Sequence, residues 1–256
     1  MTAADVIRIK ELLPTSLGSD EIREQIAREI LQRSIFSARM ESARYLAKVR
    51  DVCAQIAAGE INQATARLAL MEVLAEMGHS PLDEGGLMNP ASLRRLNLIL
   101  DTQRQMAASV ATLAEQTDDV VYLYPAWELT RFVKPRTVPR PDWDRRWAAA
   151  GRSCGFEGAL KDRLIALKSS PIWAALGNGA GGYRDTLGNP YPPFAYGSGM
   201  DWDDVDRDEC IALGLVKKDE EIMRPGRASL SPEDAEIIAA AEKLGFDFDA
   251  FVEGLS

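Results

Sequence analysis

Apolar residues in the first part of the chain recur at the three- and four-residue spacing of amphipathic helices. After an N-terminal arm at residues 1–18, this spacing continues from Ile22 to Ile56, with room for one break near Ser34–Ser37. A helix presents every third or fourth residue on one side, so the pattern predicts a long helix with one buried face. Ser19 is a suitable residue to cap its first turn.

Two further helices follow, each preceded by an asparagine that can cap a first turn. Asn62 begins a helix that stops at Gly78, and Asn89 together with Pro90 begins the next one. The apolar positions of both helices again fall on one side. The three helices together predict a helical domain over residues 19–117.

The spacing changes after Thr117, where short segments rich in β-branched and aromatic residues begin. These segments predict strands, and capping and apolar spacing predict short helices between and after them. The predicted strands are 120–124, 127–133 and 163–168, and the predicted helices are 142–150, 204–213 and one that starts at Ser231. The fold class is therefore α+β, in which a helical N-terminal half packs on or leads into a small mixed domain with long ordered loops. That domain spans residues 118–225, and a C-terminal helical segment spans 226–256.

The stretch Pro171–Gly214 is unusually rich in glycine, proline and aromatic residues. Proline and glycine disfavour a long helix, and so many aromatic rings are atypical of a disordered linker. We expect a long ordered surface loop, since loops of this length in compact domains are usually functional. Its expected packing anchors are Trp173, Tyr191, Phe194 and Trp202, with Asp201–Asp208 facing outward.

The chain carries a net charge of −9 and a pI near 4.9, which argues against a protein that coats nucleic acid. No stretch has the apolar length of a membrane span, and the N-terminus lacks the features of a signal peptide. We therefore expect a cytoplasm-like compartment. Cys53, Cys154 and Cys210 are odd in number and widely spaced, as expected of reduced thiols. His79 is the only histidine, which excludes most histidine-dependent catalysis.

Three motif-like patterns in the second half fail to complete a catalytic or ligand-binding motif. Gly177–Gly182 matches G-x-G-x-x-G but lacks a predicted strand before it and a helix after it. The aspartates at 204, 206 and 208 have calcium-loop spacing, yet Glu209 and Leu215 stand where glycine and glutamate are required. Ser198 has glycine neighbours but does not meet the nucleophile-elbow pattern. The sequence thus predicts no catalytic residue, cofactor or metal ligand, and a protein that is not an enzyme.

A modest basic patch surrounds the proline-rich segment near residue 140. Arg145 and Arg146 lie there with Trp143 and Trp147 interleaved, an arrangement that can contact phosphates and stack on bases. The other interpretation is a solvated edge whose tryptophans belong to the core. The pattern alone leaves both open.

The order of these segments resembles the phage Mu F-like minor head, or head morphogenesis, proteins. The similarity lies in the helix that starts at Arg95, in Tyr124–Leu129, in Leu164–Trp173 and in the block Gly188–Asp201. It covers roughly residues 20–215. Many relatives end this domain with a His-Pro-Asn-Cys-Arg-Cys segment, whereas here only Arg207-Asp-Glu-Cys210 occupies a comparable place. No metal or redox role is therefore carried over.

The resemblance implies a structural protein of a tailed-phage or prophage head, a minor capsid or head morphogenesis protein near the portal. Its implied partners are portal, scaffold or major capsid proteins, while packaged DNA and self-association stay open. Its implied location is the host cytoplasm during assembly and then the virion, in the head interior or at the portal vertex. The alternative is a nucleotide- or nucleic-acid-binding enzyme or module that uses Gly177–Gly182 or the Trp143/Trp147 patch. The candidate interaction residues are Trp143, Trp147, Arg145, Arg146, Tyr191, Phe194, Tyr196, Asp201, Asp203 and Asp204.

Overall fold

The computed structural model describes most of the 256-residue chain, namely residues 2–80, 86–132, 143–156 and 160–225. It is about half helical with a small share of strand, which confirms the α+β fold class. The chain divides into two compact units, one formed by Thr2–Ala111 and one that starts at Thr112. Among the described residues, no helix has the length and apolar character needed to cross a membrane. The C-terminal helical segment expected at 226–256 lies outside the described ranges.

The first unit is mainly helical and contains one short pair of parallel strands. Its elements are α1 (Ala3–Arg8), β1 (Glu11–Leu12), α2 (Ser19–Gln25), α3 (Arg28–Gln32), β2 (Ser34–Ile35), α4 (Ala43–Ala57), α5 (Gln63–Glu76), a single 3-10 turn (Gly86–Met88) and α6 (Leu93–Ala114), whose last residues lie beyond the boundary between the units. The core of the unit consists of fully buried apolar side chains, among them Ile7, Ile35, Leu46, Val49, Leu70, Leu74, Leu96 and Leu100.

The segment predicted as a long first helix, residues 22–56, is interrupted near Ser34–Ser37, where the sequence allows one break, and it is not a single helix before that break. The chain forms two short helices there and then leaves helical geometry, because Ser34–Ile35 pairs with Glu11–Leu12 as a strand. The long helix α4 begins only after Ser42, whose hydroxyl accepts a hydrogen bond from the amide of Tyr45. Before the interruption the apolar spacing does not mark one buried helix face, because Ile22 is buried whereas Ile30 is 43% exposed and α3 has no buried residue.

The caps of the next two helices are partly as the sequence predicts. Asn62 caps α5, and its side chain accepts a hydrogen bond from the amide of Thr65. In α6 the hydroxyl of Ser92, rather than Asn89, accepts from the amide of Arg95 at the start of the helix. Asn89 instead accepts from the amide of Ala91 in the preceding turn. Both are side-chain oxygens that satisfy backbone donors without a partner inside the helix.

The second unit is built on a three-stranded antiparallel sheet with the strand order β4-β3-β5. Its elements are α7 (Asp118–Leu123), β3 (Ala126–Arg131), α8 (Trp143–Cys154), β4 (Ile165–Leu167), α9 (Ile172–Gly177), β5 (Met200–Val205) and α10 (Arg207–Ala212). The central strand β3 pairs with β5 along its whole length, from Ala126 opposite Val205 to Arg131 opposite Met200.

The two faces of this sheet carry different cores. On one face, Ala126, Ile165 and Val205 pack with Cys210 and Val216 in an aliphatic cluster. The opposite face is aromatic, because the alternate residues of β3 and β5 include Trp127 and Trp202, whose rings stack with centroids 3.7 Å apart. Since side chains alternate across a strand, the aliphatic cluster covers only the end of its face near Ala126 and Val205, while Asp203 on the same face is exposed.

Two strand assignments from sequence need correction in this unit. The segment predicted as a strand at 120–124 belongs to helix α7, whose first turn is capped by Thr117 and carries Asp118 and Asp119. The cap and the favourable interaction of acidic residues with the helix N-terminus outweigh the β propensity of the valines and tyrosines. Conversely, Met200–Val205 is strand β5 rather than loop, because it completes the hydrogen bonding of β3.

A lysine is buried in the first unit, and its ammonium has no carboxylate partner among the described residues. Lys10 is 5% exposed, and its Nζ donates a hydrogen bond to Oε1 of Gln103 on α6 at 2.8 Å. Burial lowers the pKa of Lys10 to about 8, and the neighbouring Cys53 opposes that change. Burial also raises the pKa of the Cys53 thiol to about 12, so this pair favours the uncharged forms of both groups.

We predict that Lys10→Met stabilises the first unit at neutral pH by about 1–2 kcal/mol, because folding then no longer buries an ammonium group. The pKa of Lys10 is lower in the folded state than in the unfolded state, so the buried lysine lowers the free energy of unfolding at low pH. This loss of stability disappears as pH rises from about 8 to 10.5. The advantage of the variant should therefore shrink over this range and reverse above it, where only the lost Gln103 hydrogen bond remains.

The measurement is urea unfolding of both proteins at a series of pH values, followed by circular dichroism. Tryptophan fluorescence reports separately on the second unit, since all five tryptophans lie there. Because the pKa of Cys53 is about 12 and loss of the Lys10 charge raises it further, this thiol stays largely protonated in both folded proteins up to pH 10.5. Its contribution therefore differs little between them over this range. Lys48→Met, at a half-buried position on α4, is the control. A pH-independent difference between Lys10→Met and the native protein would contradict the prediction.

Candidate functional site

The aromatic face of the second unit gathers all five tryptophans of the chain into one cluster with Phe194 and Phe156. The Trp173 ring lies at its centre and contacts four others at centroid distances between 5.5 and 6.2 Å, those of Trp127, Trp147, Phe194 and Trp202. Most of these pairs meet edge to face, which is a favourable geometry for aromatic rings. Elements α8 and α9 and the loop before β5 thus pack on the sheet through their rings.

Several candidate interaction residues belong to this core and not to a surface. Trp143 and Trp147 are 4% and 1% exposed, Phe194 is fully buried, and Tyr191 is also buried. The prediction that these rings are available to a partner is therefore wrong, and the interpretation of Trp143 and Trp147 as core residues is confirmed. The predicted packing role of Trp173, Tyr191, Phe194 and Trp202 is confirmed as well.

The remaining candidates differ widely in exposure. Arg145 is exposed and Tyr196 is half-buried, whereas Arg146 is buried although it is the next residue on α8. The Arg146 guanidinium carbon lies 4.8 Å from the centroid of the Trp143 ring and 4.2 Å from that of Tyr183. Its Nη2 donates to Oδ2 of Asp185 at 2.6 Å. Basic residues that adjoin in sequence thus have different roles, because successive helix positions point in different directions.

The three acidic candidates lie on β5, where side chains alternate across the strand. Asp203 is exposed on the face opposite the tryptophans, and Asp201 is half-buried on that same face. Burial raises the pKa of Asp201, and the nearby Asp203 adds to the effect. Asp204 lies on the aromatic face, where its Oδ1 accepts a hydrogen bond from Nε1 of Trp127 at 3.0 Å. Only part of this segment faces outward as expected.

Sequence reasoning missed Lys168, which lies directly after β4 and is 1% exposed. Its Nζ is 2.6 Å from Oδ1 of Asp204 and donates to Oε1 of Gln116 at 2.7 Å. It also lies 5.2 Å from the centroid of the Trp127 ring, within range of a cation–π interaction. Burial lowers the pKa of Lys168, and Asp204 opposes that change. Strand alternation places Lys168 on the same face as Ala166, but nothing in the sequence identifies its partners.

We predict that Asp204→Ala lowers the free energy of unfolding of the second unit by about 2–3 kcal/mol, because it leaves the Lys168 ammonium buried without a carboxylate. The value is below that of a fully buried pair, since the Asp204 side chain is 43% exposed. Asp203→Ala removes the neighbouring carboxylate from the other face and should change stability by less than about 0.5 kcal/mol.

Urea unfolding followed by tryptophan fluorescence checks both variants. The native emission of Asp204→Ala should also change, because Trp127 loses its hydrogen-bond acceptor. Equal stability of the two variants would mean that the contact between Lys168 and Asp204 does not support the fold.

The Gly177–Gly182 stretch does not have the arrangement that dinucleotide binding requires. It follows the C-terminal end of helix α9 instead of preceding a helix N-terminus. The helix dipole is negative at that end and disfavours a phosphate. Close packing explains instead why residues 177 and 181 are glycine. A Cβ at Gly177 would lie 1.9 Å from the carbonyl oxygen of Asn189, and one at Gly181 would lie 2.8 Å from Cβ of Ala149.

We predict that Gly177→Ala destabilises the second unit by about 3 kcal/mol or more, because the methyl group would collide with rigid backbone. Gly182→Ala meets no atom within 4 Å and has only the cost of a positive φ, roughly 1–2 kcal/mol. Thermal unfolding of the two variants measures this difference. A nucleotide-binding loop would behave otherwise: the native protein would be stabilised by ATP or NAD, and both variants would lose that effect.

An exposed apolar surface lies at the end of α7, and we call it the α7 surface. Arg207 fixes this region, since its guanidinium lies 4.0 Å from the centroid of the Tyr122 ring and donates to the carbonyls of Tyr122 and Glu220. Arg224 forms two hydrogen bonds to Asp118 on the same helix. The chain at 220–224 therefore runs beside α7. The α7 surface consists of Tyr122, Leu123, Tyr124 and Met223, all large apolar side chains left exposed.

Within the described ranges, no group of three or more histidine, cysteine or acidic residues is placed to hold a metal ion. Cys53 and Cys210 are buried free thiols, Cys154 is half-buried and free, and His79 is half-buried beside the end of α5. Comparison of the chain with protein-family models, with curated proteins and with solved structures finds no match.

Proposed function

We propose that this chain is an assembly protein of a tailed-phage or prophage head, a minor capsid or head morphogenesis protein that acts near the portal. The proposal starts from the resemblance of Leu164–Trp173 and Gly188–Asp201 to the Mu F-like minor head proteins. The observation that carries it is the position of these segments in the fold. They supply β4, most of the loop before β5 and the central rings Trp173 and Phe194.

The resembling block therefore contributes to the core of the second unit. Asn189 is fully buried against the backbone of Gly177, and Ser198 donates its hydroxyl hydrogen to the carbonyl of Pro193 at 2.6 Å. Ser198 also accepts from the amide of Met200. Polar groups that bond within the loop hold it in one conformation. This supports a rigid structural domain, which suits a component of a larger assembly.

The α7 surface supports a protein partner. Aromatic and long apolar side chains are enriched at the centre of protein–protein interfaces, and four such side chains are exposed on α7 and the segment beside it. Leu123 and Met223 are 56% and 61% exposed, so contact with a partner would remove much apolar area from water. We propose that a portal, scaffold or major capsid protein contacts this surface, in the host cytoplasm during assembly and afterwards in the virion.

No described feature favours the alternative of nucleotide or nucleic-acid binding through the Gly177–Gly182 loop or through stacking on Trp143 and Trp147. The loop follows a helix C-terminus, and both indole rings are buried. A base could reach these rings only after the aromatic core had opened.

We predict that Leu123→Asp weakens binding to a head protein at least about tenfold, because it places a charge in the centre of an apolar contact. The tagged chain is co-expressed in turn with the portal, scaffold and major capsid proteins encoded near its gene, and each complex is isolated and quantified. Leu68→Asp is the matched control, since Leu68 is a helical leucine with 61% exposure in the first unit.

Capture of one of the three head proteins by the native chain and by Leu68→Asp, with loss in Leu123→Asp, is the expected result. Failure of the native chain to retain any of them would overturn the proposed function. Equal retention by both variants would keep an assembly role but exclude the α7 surface as the contact.

A further inference from the structure

Three buried hydrogen-bond donors on one side of α8 have no acceptor in the described part of the chain. They are Nε and Nη1 of Arg146 and Nε1 of Trp143, one helical turn earlier. The guanidinium itself is 5% exposed and uses only Nη2, on Asp185. Buried donors in folded proteins almost always have partners, so three neighbouring exceptions indicate that an acceptor is missing.

The surroundings of Arg146 define the orientation of its guanidinium. The ring centroids of Trp143 and Tyr183 lie 4.8 and 4.2 Å from its central carbon, so both rings pack against the guanidinium. A guanidinium held in this way offers its N–H groups at its edges, where carboxylates and phosphates bind in pairs of hydrogen bonds. Asp185 satisfies one N–H group of the five, and its side chain is 41% exposed at the edge of the site.

The cover over this site is a short turn rich in glycine. Tyr183 follows Gly181 and Gly182, which both have positive φ and are exposed. The turn is closed by a hydrogen bond from the amide of Tyr183 to the carbonyl of Gly179 at 3.2 Å. The backbone carbonyl of Asp185, in contrast, is fixed by the amide of Tyr196 at 3.0 Å. The Tyr183 carbonyl also accepts from the hydroxyl of Thr186 at 3.3 Å. Displacement of this turn therefore breaks that bond and the bond to Gly179, while the backbone bond at Asp185 is kept.

We propose that Arg146 and Trp143 form a binding site for a phosphate group, which Asp185 and Tyr183 close in the structure described here. A phosphate offers more acceptor oxygens than a carboxylate, and it can accept from the Arg146 edges and from Trp143 Nε1 together. Binding replaces the Asp185 carboxylate on Nη2 and displaces the Tyr183 ring. The phosphate comes either from a free phosphate compound or from a nucleic-acid backbone. This site is independent of the proposed assembly role.

The test is a titration of the full chain with inorganic phosphate, followed by the side-chain N–H signals of Arg146 and Trp143 in proton–nitrogen NMR spectra. The two signals are assigned by their loss in Arg146→Lys and Trp143→Phe. Asp185→Asn removes the competing carboxylate charge and should bind phosphate about tenfold more tightly than the native chain. Asp144→Asn, an exposed position on the same helix, should leave the affinity unchanged.

Pyrophosphate and a thymidine octanucleotide are titrated in the same way to identify the source, and acetate is the control for carboxylates. Saturable shifts of both signals, strengthened in Asp185→Asn, support the site whichever phosphate binds best. The absence of any shift in a folded Asp185→Asn variant at saturating phosphate would overturn the proposal. Equal binding of acetate and phosphate, or equal tightening in Asp144→Asn, would overturn it too.

Discussion

The second unit depends on the packing of five tryptophans against one face of a three-stranded sheet. Trp127 and Trp202 come from the sheet itself, and Trp143, Trp147 and Trp173 come from the two helices that cover it. Because aromatic rings bury large areas and prefer particular mutual orientations, this cluster fixes how the helices and the loop before β5 dock. The stretch that is richest in proline and glycine thereby becomes a rigid part of the fold.

Buried cations accompany both cores, and the protein accommodates them mostly with neutral acceptors. Lys10 bonds Gln103, Lys168 bonds Gln116 as well as Asp204, and Arg207 donates to four backbone carbonyls. Amide and carbonyl oxygens supply hydrogen bonds without requiring a second buried charge. In an acidic chain this leaves many carboxylates at the surface. Arg146 differs from these cations, since two of its nitrogens find no acceptor among the described residues.

The packing of the second unit decides which aromatic and apolar residues belong to the core and which are exposed, a distinction that the sequence does not make. The aromatic residues that the sequence suggests as an interaction site form the core, while apolar residues that the sequence predicts as a strand are exposed on α7. Consequently, the surface proposed to contact a partner lies at α7 and not in the proline-aromatic block. The block supports the proposed head-assembly role through the fold that it builds.

The sequence by itself determined the fold class, several helix starts such as Asn62, two of the three strands of the main sheet and the anchoring role of Trp173 and Phe194. These features depend on local capping, propensity and apolar spacing, which are readable along the chain. Only the tertiary structure decided that Ser34–Ile35 and Met200–Val205 become strands, because their partners are distant in sequence. It alone placed Lys168 beside Asp204 and left Arg146 short of acceptors, since burial and pairing of charges arise only when separate segments pack together.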